Sequence, residues 1–454
     1  MNELATIILA AGKGTRMNSK LHKVLHPIAG RPMIRHLMAS AARLGSTRTV
    51  VVIGEWREQV REVVGDEVHY AVQDDQLGTG HAVAQAKEAL ADHEGDVLVL
   101  YGDVPFVRTE TMEAMCARLH GDDRPAVVVL GFRPADTRAY GRIIAAEDGR
   151  IDRMVEHGDA TEEERACRLC NSGVMAVKSS ELFDLLDRVG NDNAKGEYYL
   201  TDIVNLANED GRTCAVVETA DEDEVTGINS RLELAEAEQQ WQDFRREEAM
   251  EDGVTLREPE SVYFSWDTKL GREVVVEPNV VFGPGVVVED EAHIRAFSHL
   301  EGAQVGEGCV VGPFARLRPG TVLKSGVKVG NFVEIKNAVL GEGAKASHLS
   351  YIGDATVGAQ ANIGAGTITC NYDGYFKHHT EIGDRAFIGS NSSLIAPVKI
   401  GRDAIVGAGS AVSRDVGDGD MRMVRGEQLV KPGWADRFHD RMTKKKKKAR
   451  DGKA

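Results

Sequence analysis

The sequence of 454 residues predicts an α/β domain with a Rossmann-like sheet, then a long helix, then a parallel β-helix built from hexapeptide repeats. Three observations support this prediction. Short apolar runs alternate with helical periodicity up to about residue 229, one continuous helical pattern follows, and after about residue 262 an aliphatic residue recurs every six positions. A chain of this length is sufficient for two or three domains, each with its own core.

Residues 1–229 show the alternation that is typical of a mostly parallel sheet with helices on both faces. The clearest helical patterns cover 32–44, with proline in the first turn, and 79–90. The predicted strands share a high content of aliphatic and β-branched residues and cover 4–9, 49–53, 68–72, 97–101 and 126–132. Ligands of such sheets bind beyond the carboxyl ends of the strands.

A long helix is predicted over 230–252. Ser230 and Glu233 have the spacing of a capping box, and Gly253 follows the predicted end. One apolar stripe runs along the pattern, formed by Ala237, Trp241 and Phe244. We expect this helix to connect two domains and to take little part in chemistry.

The C-terminal repeat consists of hexads in one phase, for example IGDRAF, IGSNSS, LIAPVK, IGRDAI and VGAGSA over 382–411. Such hexads stack as a parallel β-helix, three to a coil, with the aliphatic residue pointing inward. The phase breaks between Gly364 and Gly383, where the polar segment CNYDGYFKHH is inserted. We therefore predict a β-helix domain over 253–440 and a basic, disordered tail over 441–454.

Composition restricts the classes of function. The apolar runs are shorter than the roughly 18 residues that a membrane span needs, and the N-terminus has no basic segment before its apolar run, so we expect a cytoplasmic protein without a membrane partner. The net charge of −16 argues against general nucleic-acid binding, although the five-lysine run near the C-terminus leaves contact with RNA or an acidic surface as an alternative.

The six cysteines do not suggest a disulfide framework in a chain of this length. Cys167 and Cys170 have CxxC spacing, but the second ligand pair of a zinc site is missing from the sequence. Free thiols are therefore favoured over a zinc site.

The segment LAAGKGTRM places a glycine-rich turn directly after the first predicted strand. It lacks the GxxxxGK[ST] pattern, and Met17 follows where a dinucleotide-binding turn would have its third glycine. Backbone N–H groups around Gly12 and Gly14 can face an anion, and Arg16 and Lys23 follow closely. This pattern favours a nucleoside triphosphate site of another kind, with an ordinary strand-to-helix connection as the alternative.

Other candidate residues of the first domain follow or precede predicted strands. Asp103 in VLVLYGDVPF is suited to Mg²⁺, which prefers oxygen ligands, or else is a turn residue. Gly78 and Thr79 in QLGTGHA form a second glycine turn that opens a helix, and Gln73 is suited to a base edge. Taken alone, the remaining polar candidates are better explained as turns or caps than as ligands: Glu156, Asn171 and Asn229.

Together these motifs resemble one family. LAAGKGTRM, KVLH, QLGTGHA, YGDVPF, YGRII and CNSGVMAV, followed by HLSYIGD and NIGAGTITCNYDG, are similar to the bifunctional bacterial N-acetylglucosamine-1-phosphate uridyltransferase/glucosamine-1-phosphate N-acetyltransferases, from Leu4 to about Arg425. The GKGTRM turn is shared by many sugar nucleotidyltransferases, whereas the last two motifs are more specific. The resemblance implies a nucleotidyltransferase domain and a left-handed β-helix acetyltransferase domain, in an enzyme of cell-wall precursor synthesis.

For the first domain, the resemblance implies attack by the phosphate oxygen of N-acetylglucosamine 1-phosphate on UTP, with release of pyrophosphate. Positioning and charge neutralisation dominate such a reaction. The implied contacts are Gly12, Arg16 and Lys23 for the UTP phosphates, Gln73, Gly78 and Thr79 for uridine, Asp103 and Asn229 for Mg²⁺, and Gly141, Glu156 and Asn171 for the sugar phosphate.

For the second domain, the resemblance implies that His348 in ASHLSYIGD removes a proton from the amine of glucosamine 1-phosphate, with Glu334 orienting the imidazole. Without the resemblance, a lone histidine in a β-helix is better explained as structural. The implied sugar phosphate contacts are Arg318, Lys336, Tyr351, Asn362 and Lys377, with Asn371 and Tyr372 from the inserted segment, and the implied acetyl-CoA contacts are Ser390, Ala408 and Arg425.

Several alternatives stay open at this level. His378 and His379 suggest metal binding, although a charged loop tip that faces a phosphate is favoured. One rival function is nucleotidyl transfer alone, with a structural or assembly β-helix, and another is a nucleotide-sensing scaffold. Because β-helices of this type pack their flat sides around a threefold axis, we predict a homotrimer with acetyltransferase sites between subunits.

Overall fold

The structure, a computed structural model, describes residues 3–137 and 139–451. The chain divides into two compact units. The first extends to Glu247 and includes Phe264–Trp266, and the second comprises Glu248–Tyr263 and the chain from Asp267 onward. The division falls within the long helix that the sequence predicts; the domain boundaries given above stay predictions. None of the helices in the described residues is long and apolar enough to cross a membrane.

A mixed sheet forms the centre of the first unit. The strands of this unit are β1 (Leu4–Ala10), β2 (Pro27–Ile28), β3 (Arg31–Pro32), β4 (Arg48–Ile53), β5 (His69–Val72), β6 (Asp96–Tyr101), β7 (Val127–Phe132), β8 (Arg142–Ala145), β9 (Ile151–Val155), β10 (Cys170–Lys178) and β11 (Cys214–Thr219). In the described residues the sheet has nine strands, with the order β11-β7-β10-β6-β1-β4-β5 and with β8 paired to β9 and β10. β2 and β3 pair separately.

Helices cover both faces of this sheet. The α-helices in the described residues of the first unit are α1 (Met33–Arg43), α2 (Arg57–Val64), α3 (Thr79–Ala84), α4 (Thr109–Leu119), α5 (Glu162–Ala166), α6 (Ser179–Leu186), α7 (Asp202–Glu209) and most of α8 (Arg231–Glu251). A further helix, α9 (Trp434–Asp451), belongs to the second unit. Because side chains alternate along β1, Ile7 packs in the core on one face and Ile8 in the core on the other.

The five strands predicted from the sequence of the first unit are all present. The main path of the sheet is mostly parallel, as predicted, with the exception of β10, which runs antiparallel to both β6 and β7. The helix predicted over 79–90 is regular only in α3, and a 3₁₀ turn, Glu88–Leu90, follows. Val83, Ala86 and Leu90 are nevertheless buried, so the apolar spacing predicted the buried face correctly but not the hydrogen-bond pattern.

Helix α8 begins with a modified capping box. Ser230 Oγ accepts from Glu233 N at 3.2 Å, but the Glu233 carboxylate accepts from the backbone N of Asn229, at 2.6 Å, rather than from Ser230. Ala237 is buried against the first unit, whereas Phe244, predicted on the same stripe, is exposed. Gly253 follows the helix in the left-handed conformation, with φ of 96°.

The second unit is a β-helix of short parallel strands, as predicted. Its strands are β12 (Thr255–Leu256), β13 (Lys269–Leu270), β14 (Val275–Val276), β15 (Val281–Phe282), β16 (Val287–Val288), β17 (His293–Ile294), β18 (His299–Leu300), β19 (Ala303–Val305), β20 (Val310–Val311), β21 (Arg316–Leu317), β22 (Thr321–Leu323), β23 (Lys328–Asn331), β24 (Glu334–Leu340), β25 (Lys345–His348), β26 (Tyr351–Val357), β27 (Asn362–Ile363), β28 (Ile368–Cys370), β29 (Thr380–Ile382), β30 (Phe387–Ile388), β31 (Ser393–Ile395), β32 (Val398–Ile400), β33 (Ile405–Val406), β34 (Ala411–Val412) and β35 (Met421–Arg422).

Most successive coils pair in parallel at a spacing of 17 or 18 residues, which corresponds to three hexads per coil. The aliphatic position of the hexad points into the β-helix, as predicted. Six such residues at intervals of six positions are all at most 3% exposed: Ile382, Ile388, Leu394, Ile400, Val406 and Val412.

The inserted segment leaves the coil without disturbing the next one. Asn362 pairs with Phe387, a spacing of 25 residues, while the neighbouring pair Phe387 and Ile405 returns to 18. The additional residues lie between β28 and β29. The predicted break in the repeat is therefore a loop that projects from an intact β-helix.

The prediction of a disordered tail is wrong for most of its length, because α9 continues to Asp451. Lysine, arginine and alanine are good helix formers, and α9 contains neither glycine nor proline. The side chains of Trp434 and Phe438, one helical turn apart, stack at 5.1 Å. Low complexity therefore misled the prediction, and residues 452–454 of the predicted tail lie outside the described residues.

We expect Ile335→Ala to destabilise the β-helix by about 2–5 kcal/mol, because Ile335 is fully buried on β24 and its truncation leaves a cavity. Val339→Ala is the matched control, since Val339 lies on the same strand but is 37% exposed and should cost about 0.5 kcal/mol or less. Urea denaturation followed by circular dichroism measures both. Equal shifts of the midpoint in the two variants would contradict the burial pattern.

Candidate active sites

The glycine turn after β1 depends on one position where only glycine fits. Gly14 has φ of 59°, and an added Cβ would lie 2.7 Å from the Cβ of Lys23. The side chain of Gln76 holds the other end of the turn by donating to the carbonyl of Ala11 at 2.5 Å. Arg16 follows in a short 3₁₀ turn and is exposed. The turn therefore brings two cationic side chains to the carboxyl edge of the sheet.

Lys23, Asp103 and Asn229 meet at this edge, although they are far apart in sequence. Lys23 Nζ forms an ion pair with Asp103 Oδ2 and donates to Asn229 Oδ1 at 3.0 Å. The side chains of Lys23 and Asp103 are only 14% and 18% exposed. The backbone fixes the arrangement, because Ile228 N donates to Asp103 O at 2.9 Å and Glu233 accepts from Asn229 N.

The oxygen atoms of Asp103 and Asn229 that contact Lys23 are suited to Mg²⁺. They already hold a cationic group between them, the ammonium of Lys23, and both are hard oxygen donors. No cluster of three or more histidine, cysteine or acidic residues with metal-binding geometry is found in the described part of the chain. Mg²⁺ at this point would therefore complete its coordination with water and phosphate oxygens, as it commonly does.

The predicted uridine residues lie together beside α3. Gln73 is buried, and its Nε2 donates to the carbonyl of Gly78 at 3.1 Å and lies 3.1 Å from His81 Nδ1. Thr79 Oγ1 accepts from Leu200 N at 3.0 Å. These contacts hold the second glycine turn rigidly against the rest of the first unit.

The predicted sugar phosphate residues of the first unit also converge. Asn171 N donates to Gly141 O at 3.0 Å, and an added Cβ on Gly141 would lie 3.4 Å from Glu156 Oε1. Burial raises the pKa of Glu156, whose carboxylate accepts from Thr201 Oγ1 at 3.4 Å. Burial, together with the nearby Glu156, raises the pKa of Asp202 to about 6.

Tyr101 links these groups and was missed by the sequence analysis. Its hydroxyl interacts with Thr79, it lies near Glu156 and Asp103, and burial raises the pKa of its phenol. An added Cβ on Gly173 would lie 2.6 Å from the Tyr101 ring, so this glycine leaves room for the ring. The available signal was the position of Tyr101, at the end of β6 and two residues before Asp103.

In the second unit, His348 ends β25 and is exposed. Its Nδ1 lies 2.7 Å from Asn331 Oδ1. The expectation that Glu334 orients this histidine is not met in the described contacts, because Glu334 Oε1 instead accepts from Arg318 Nη1 at 2.8 Å. The carboxylate of Glu334 thus pairs with Arg318 and not, as the resemblance had implied, with His348.

A cationic cluster lies on the outer surface of the β-helix near β24. The pKa of Lys336 is lowered, chiefly because Lys377 contacts it and carries a like charge. The charge of Arg318 lowers this pKa further, whereas the charge of Asp354 raises it. Asp354 accepts from Asn337 Nδ2 at 2.6 Å and from the amide of Asn371. Clustered cations with a lowered lysine pKa favour binding of an anion such as a phosphate.

The other predicted residues of the second unit occupy neighbouring positions. Tyr351 pairs with Glu334 between adjacent strands, and Tyr372 donates from its hydroxyl to the carbonyl of Gly374 at 2.6 Å. Asn362 begins β27 and pairs with Lys345. Tyr351 lies on β26, which pairs with the two strands that flank the inserted loop, and Tyr372 belongs to the loop itself.

His348, Ser390 and Ala408 lie on different coils along the same corner of the β-helix. Backbone bonds connect the coils there, from Gly366 N to His348 O at 3.3 Å and from Gly409 N to Ser390 O at 2.8 Å. An added Cβ on Gly389 would lie 2.4 Å from Ala408 N, and one on Gly409 would lie 3.9 Å from Arg425 Cδ. Among the described residues, no hydrogen bond or ion pair joins His348 to the cationic cluster.

The two histidines of the inserted loop do not converge on one point. His378 Nε2 lies 2.7 Å from Asp373 Oδ2, whereas His379 Nε2 lies 3.0 Å from Thr356 Oγ1. Their different partners favour structural roles in the loop over a shared metal ion.

Comparison with known proteins agrees with this architecture. Residues 6–176 match the family model of the MobA-like NTP transferase domain, and residues 302–337 and 379–414 match that of the bacterial transferase hexapeptide (six repeats). The bifunctional protein GlmU of Novosphingobium aromaticivorans is 70% identical over 443 residues and that of Sphingopyxis alaskensis 68% over 445, with 98% of each chain covered in both cases. The bifunctional protein GlmU of Zymomonas mobilis is 52% identical over 444 residues, which cover 97% of this chain and 98% of the relative.

We expect Lys377→Gln to raise the pKa of Lys336 toward its ordinary value. The charge of Lys377 disfavours the protonated form of Lys336, so its removal favours that form. NMR titration of ¹³C-methylated lysines measures the change, with Lys336→Arg to assign the resonance. Lys399→Gln is the control, because Lys399 pairs with Glu381 at 3.1 Å. An unchanged Lys336 titration in Lys377→Gln would contradict the cluster.

Proposed function

The chain belongs to the GlmU family of bifunctional uridyltransferase and acetyltransferase enzymes, and we propose that the residues described above form its two active sites. The second unit acetylates glucosamine 1-phosphate with acetyl-CoA. The first unit transfers UMP from UTP to N-acetylglucosamine 1-phosphate and releases pyrophosphate. The observation that supports two separate sites is the cationic cluster of Arg318, Lys336 and Lys377, because a purely structural β-helix has no need for three adjacent cations.

In the uridyl transfer, a phosphate oxygen of N-acetylglucosamine 1-phosphate attacks the α-phosphorus of UTP. A bond forms to that oxygen while the bond from the α-phosphorus to the pyrophosphate oxygen breaks. Backbone N–H groups at Gly12, with Arg16 and Lys23, neutralise the charge that develops on pyrophosphate. Asp103 and Asn229 hold Mg²⁺, which supplies further neutralisation of phosphate charge when bound.

The remaining polar groups of the first unit position the two substrates. We assign Gln73, Gly78 and Thr79 to uridine, since they lie together and their contacts hold them rigidly. The sugar phosphate is assigned to Gly141, Glu156 and Asn171, which form the adjacent group. Correct orientation contributes much of the acceleration when two bound phosphates react with each other.

In the acetyl transfer, the amine of glucosamine 1-phosphate attacks the thioester carbonyl of acetyl-CoA. His348 Nε2 accepts a proton from the amine, a bond forms between nitrogen and carbon, and the bond from that carbon to sulfur breaks. The departing thiolate then receives a proton. We assign the sugar phosphate to Arg318, Lys336, Tyr351, Asn362, Asn371, Tyr372 and Lys377, and acetyl-CoA to Ser390, Ala408 and Arg425.

We also propose that the active acetyltransferase is a homotrimer. Phe297, Phe314 and Phe332 form a column at one corner of the β-helix, with ring centroids 4.9 and 5.2 Å apart. They are 53%, 45% and 56% exposed, and Leu349, beside His348, continues the apolar surface at 61%. Contiguous exposed apolar surface is typical of interfaces. A neighbouring subunit over this column would place His348 at a subunit boundary.

The cytoplasm is the proposed location of both reactions. The cysteines in the described residues are free thiols, which suits a reducing compartment. Small sugar phosphates, UTP and acetyl-CoA are the proposed partners, with neither nucleic acid nor membrane required for the two reactions.

We expect Asp103→Ala to abolish uridyl transfer and His348→Ala to abolish acetyl transfer, each with the other activity retained. The first substitution removes a magnesium ligand, and the second removes the base. Pyrophosphate release measures one activity, and thiol release from acetyl-CoA that depends on glucosamine 1-phosphate measures the other. EDTA should stop only the first.

Glu381→Ala is the control, because Glu381 is exposed, pairs only with Lys399 among its described ion pairs, and belongs to neither site. Loss of both activities in a folded Asp103→Ala or His348→Ala protein would contradict two separate sites. A wild-type trimer that releases pyrophosphate but transfers no acetyl group would favour the rival function, a nucleotidyltransferase with a structural β-helix.

We expect Phe314→Glu to dissociate the trimer and to reduce acetyl transfer more than tenfold while uridyl transfer is retained. A charge in the middle of the phenylalanine column opposes its burial by another subunit. Light scattering measures the mass, and the two assays measure function. Val287→Glu is the control, because Val287 is 37% exposed on another face of the β-helix. A fully active monomer would show that the column has a different role.

A further inference from the structure

Asn331 and His348 occupy the same register position on adjacent coils. They pair between β23 and β25, and Leu349 N donates to Asn331 O at 3.0 Å. Their side chains extend the same way from this pair, so that Asn331 Oδ1 lies 2.7 Å from His348 Nδ1. None of the family motifs assigned a role to Asn331.

A close approach of the two strands makes this contact possible. An added Cβ on Gly330 would lie 1.9 Å from the backbone oxygen of Ser347, so only glycine fits there. The hydroxyl of Ser350 also stabilises the backbone at the end of β25, since it donates to His348 O at 2.8 Å. The backbone that carries both side chains is therefore held on both sides of the contact.

The chemistry of the contact determines which nitrogen of His348 carries the proton. An amide oxygen can only accept a hydrogen bond, so Nδ1 must be the donor. In a neutral imidazole the lone pair then lies on Nε2, because the hydrogen bond at one ring nitrogen sets the state of the other. Nε2 does not take part in the contact with Asn331, so its lone pair is the one that can accept a proton.

We propose that Asn331 is a positioning residue for acetyl transfer: it holds His348 in the tautomer and orientation that present Nε2 to the acceptor amine. This inference rests on the proposed role of His348 as the base. Asn331 contacts neither substrate in the proposal and acts only through the imidazole.

A neutral partner suits the sequence of proton transfers. His348 Nε2 takes a proton from the amine as the bond between nitrogen and carbon forms, and then gives it to the thiolate as the bond between carbon and sulfur breaks. A carboxylate beside Nδ1 would stabilise the imidazolium and retain that proton. Glu334, the carboxylate that the resemblance assigned to the imidazole, is instead paired with Arg318.

The kinetic test compares Asn331→Leu, which keeps approximate size but removes the acceptor, with Asn331→Asp, which retains an acceptor oxygen. We expect Asn331→Leu to lower kcat for acetyl transfer by about 10- to 100-fold with KM for glucosamine 1-phosphate changed less than twofold, a smaller loss than removal of a general base would produce. Asn331→Asp should restore the tautomer but recover only part of the lost kcat, because its carboxylate stabilises the imidazolium. Ser347→Ala, whose side chain alternates away from His348 on β25, is the matched control.

The tautomer itself is measured independently of activity. Solid-state NMR of full-length protein with ¹⁵N only in histidine distinguishes protonated from unprotonated ring nitrogens, and His348→Gln assigns the signal. At a pH where His348 is neutral, we expect a protonated Nδ1 in the wild type and in Asn331→Asp, and a mixture of tautomers in Asn331→Leu.

The outcomes separate this inference from the proposed function. A protonated Nε2 in the wild type, or a folded Asn331→Leu with unchanged kcat, would overturn the positioning role while leaving acetyl transfer established. A wild type without sugar-dependent thiol release would instead overturn the function, and the NMR signal would still decide whether Asn331 sets the tautomer. Should Asn331→Leu fail to fold, the wild-type NMR signal decides alone.

Discussion

Backbone hydrogen bonding between successive coils determines nearly everything else in the second unit. Most strands pair with residues 17 or 18 positions further along, so side chains of equivalent hexad positions stack above one another. The interior is filled mainly by columns of aliphatic side chains, among them Ile388 and Leu394, which are fully buried. The charged side chains of the cationic cluster lie on the outer surface, where stacking gathers residues that are distant in sequence.

The first unit also gathers side chains that are distant in sequence, but at the carboxyl edge of a sheet. β1 lies between β4 and β6, and the chain leaves its carboxyl end at the point where the strand order reverses. Lys23, Asp103 and Asn229 converge there although Lys23 and Asn229 are 206 positions apart. The cap of α8 contributes directly, since Glu233 binds the backbone of Asn229 and thereby fixes the amide that faces Lys23.

Sequence patterns predicted what depends on local periodicity. The hexad phase identified inward residues correctly, and alternation identified the strands of the first unit, but the antiparallel course of β10 depends on tertiary packing that no local pattern encodes. Taken alone, Asn229 was better explained as a turn or cap residue than as a ligand, because its partner lies across the fold. The tail was misjudged since low complexity was given more weight than helix propensity. Asn331 was missed although a signal existed: it precedes His348 by one coil length of 17 residues.

The two reactions need different arrangements of side chains, and the two units differ accordingly. Phosphoryl transfer needs dense positive charge around phosphates, which flexible cations on loops and a metal ion can supply. Acyl transfer to an amine needs one lone pair at a defined position, so the base must be held through both the ring and the backbone. A β-helix provides a fixed backbone for such a base, because ladder hydrogen bonds hold the strand that carries His348, while the amide of Asn331 contacts the ring itself. On this reasoning the rigid ladder carries the proposed base, and the loop that projects from it carries Lys377, whose proposed attraction to a phosphate tolerates movement because electrostatic attraction varies slowly with distance.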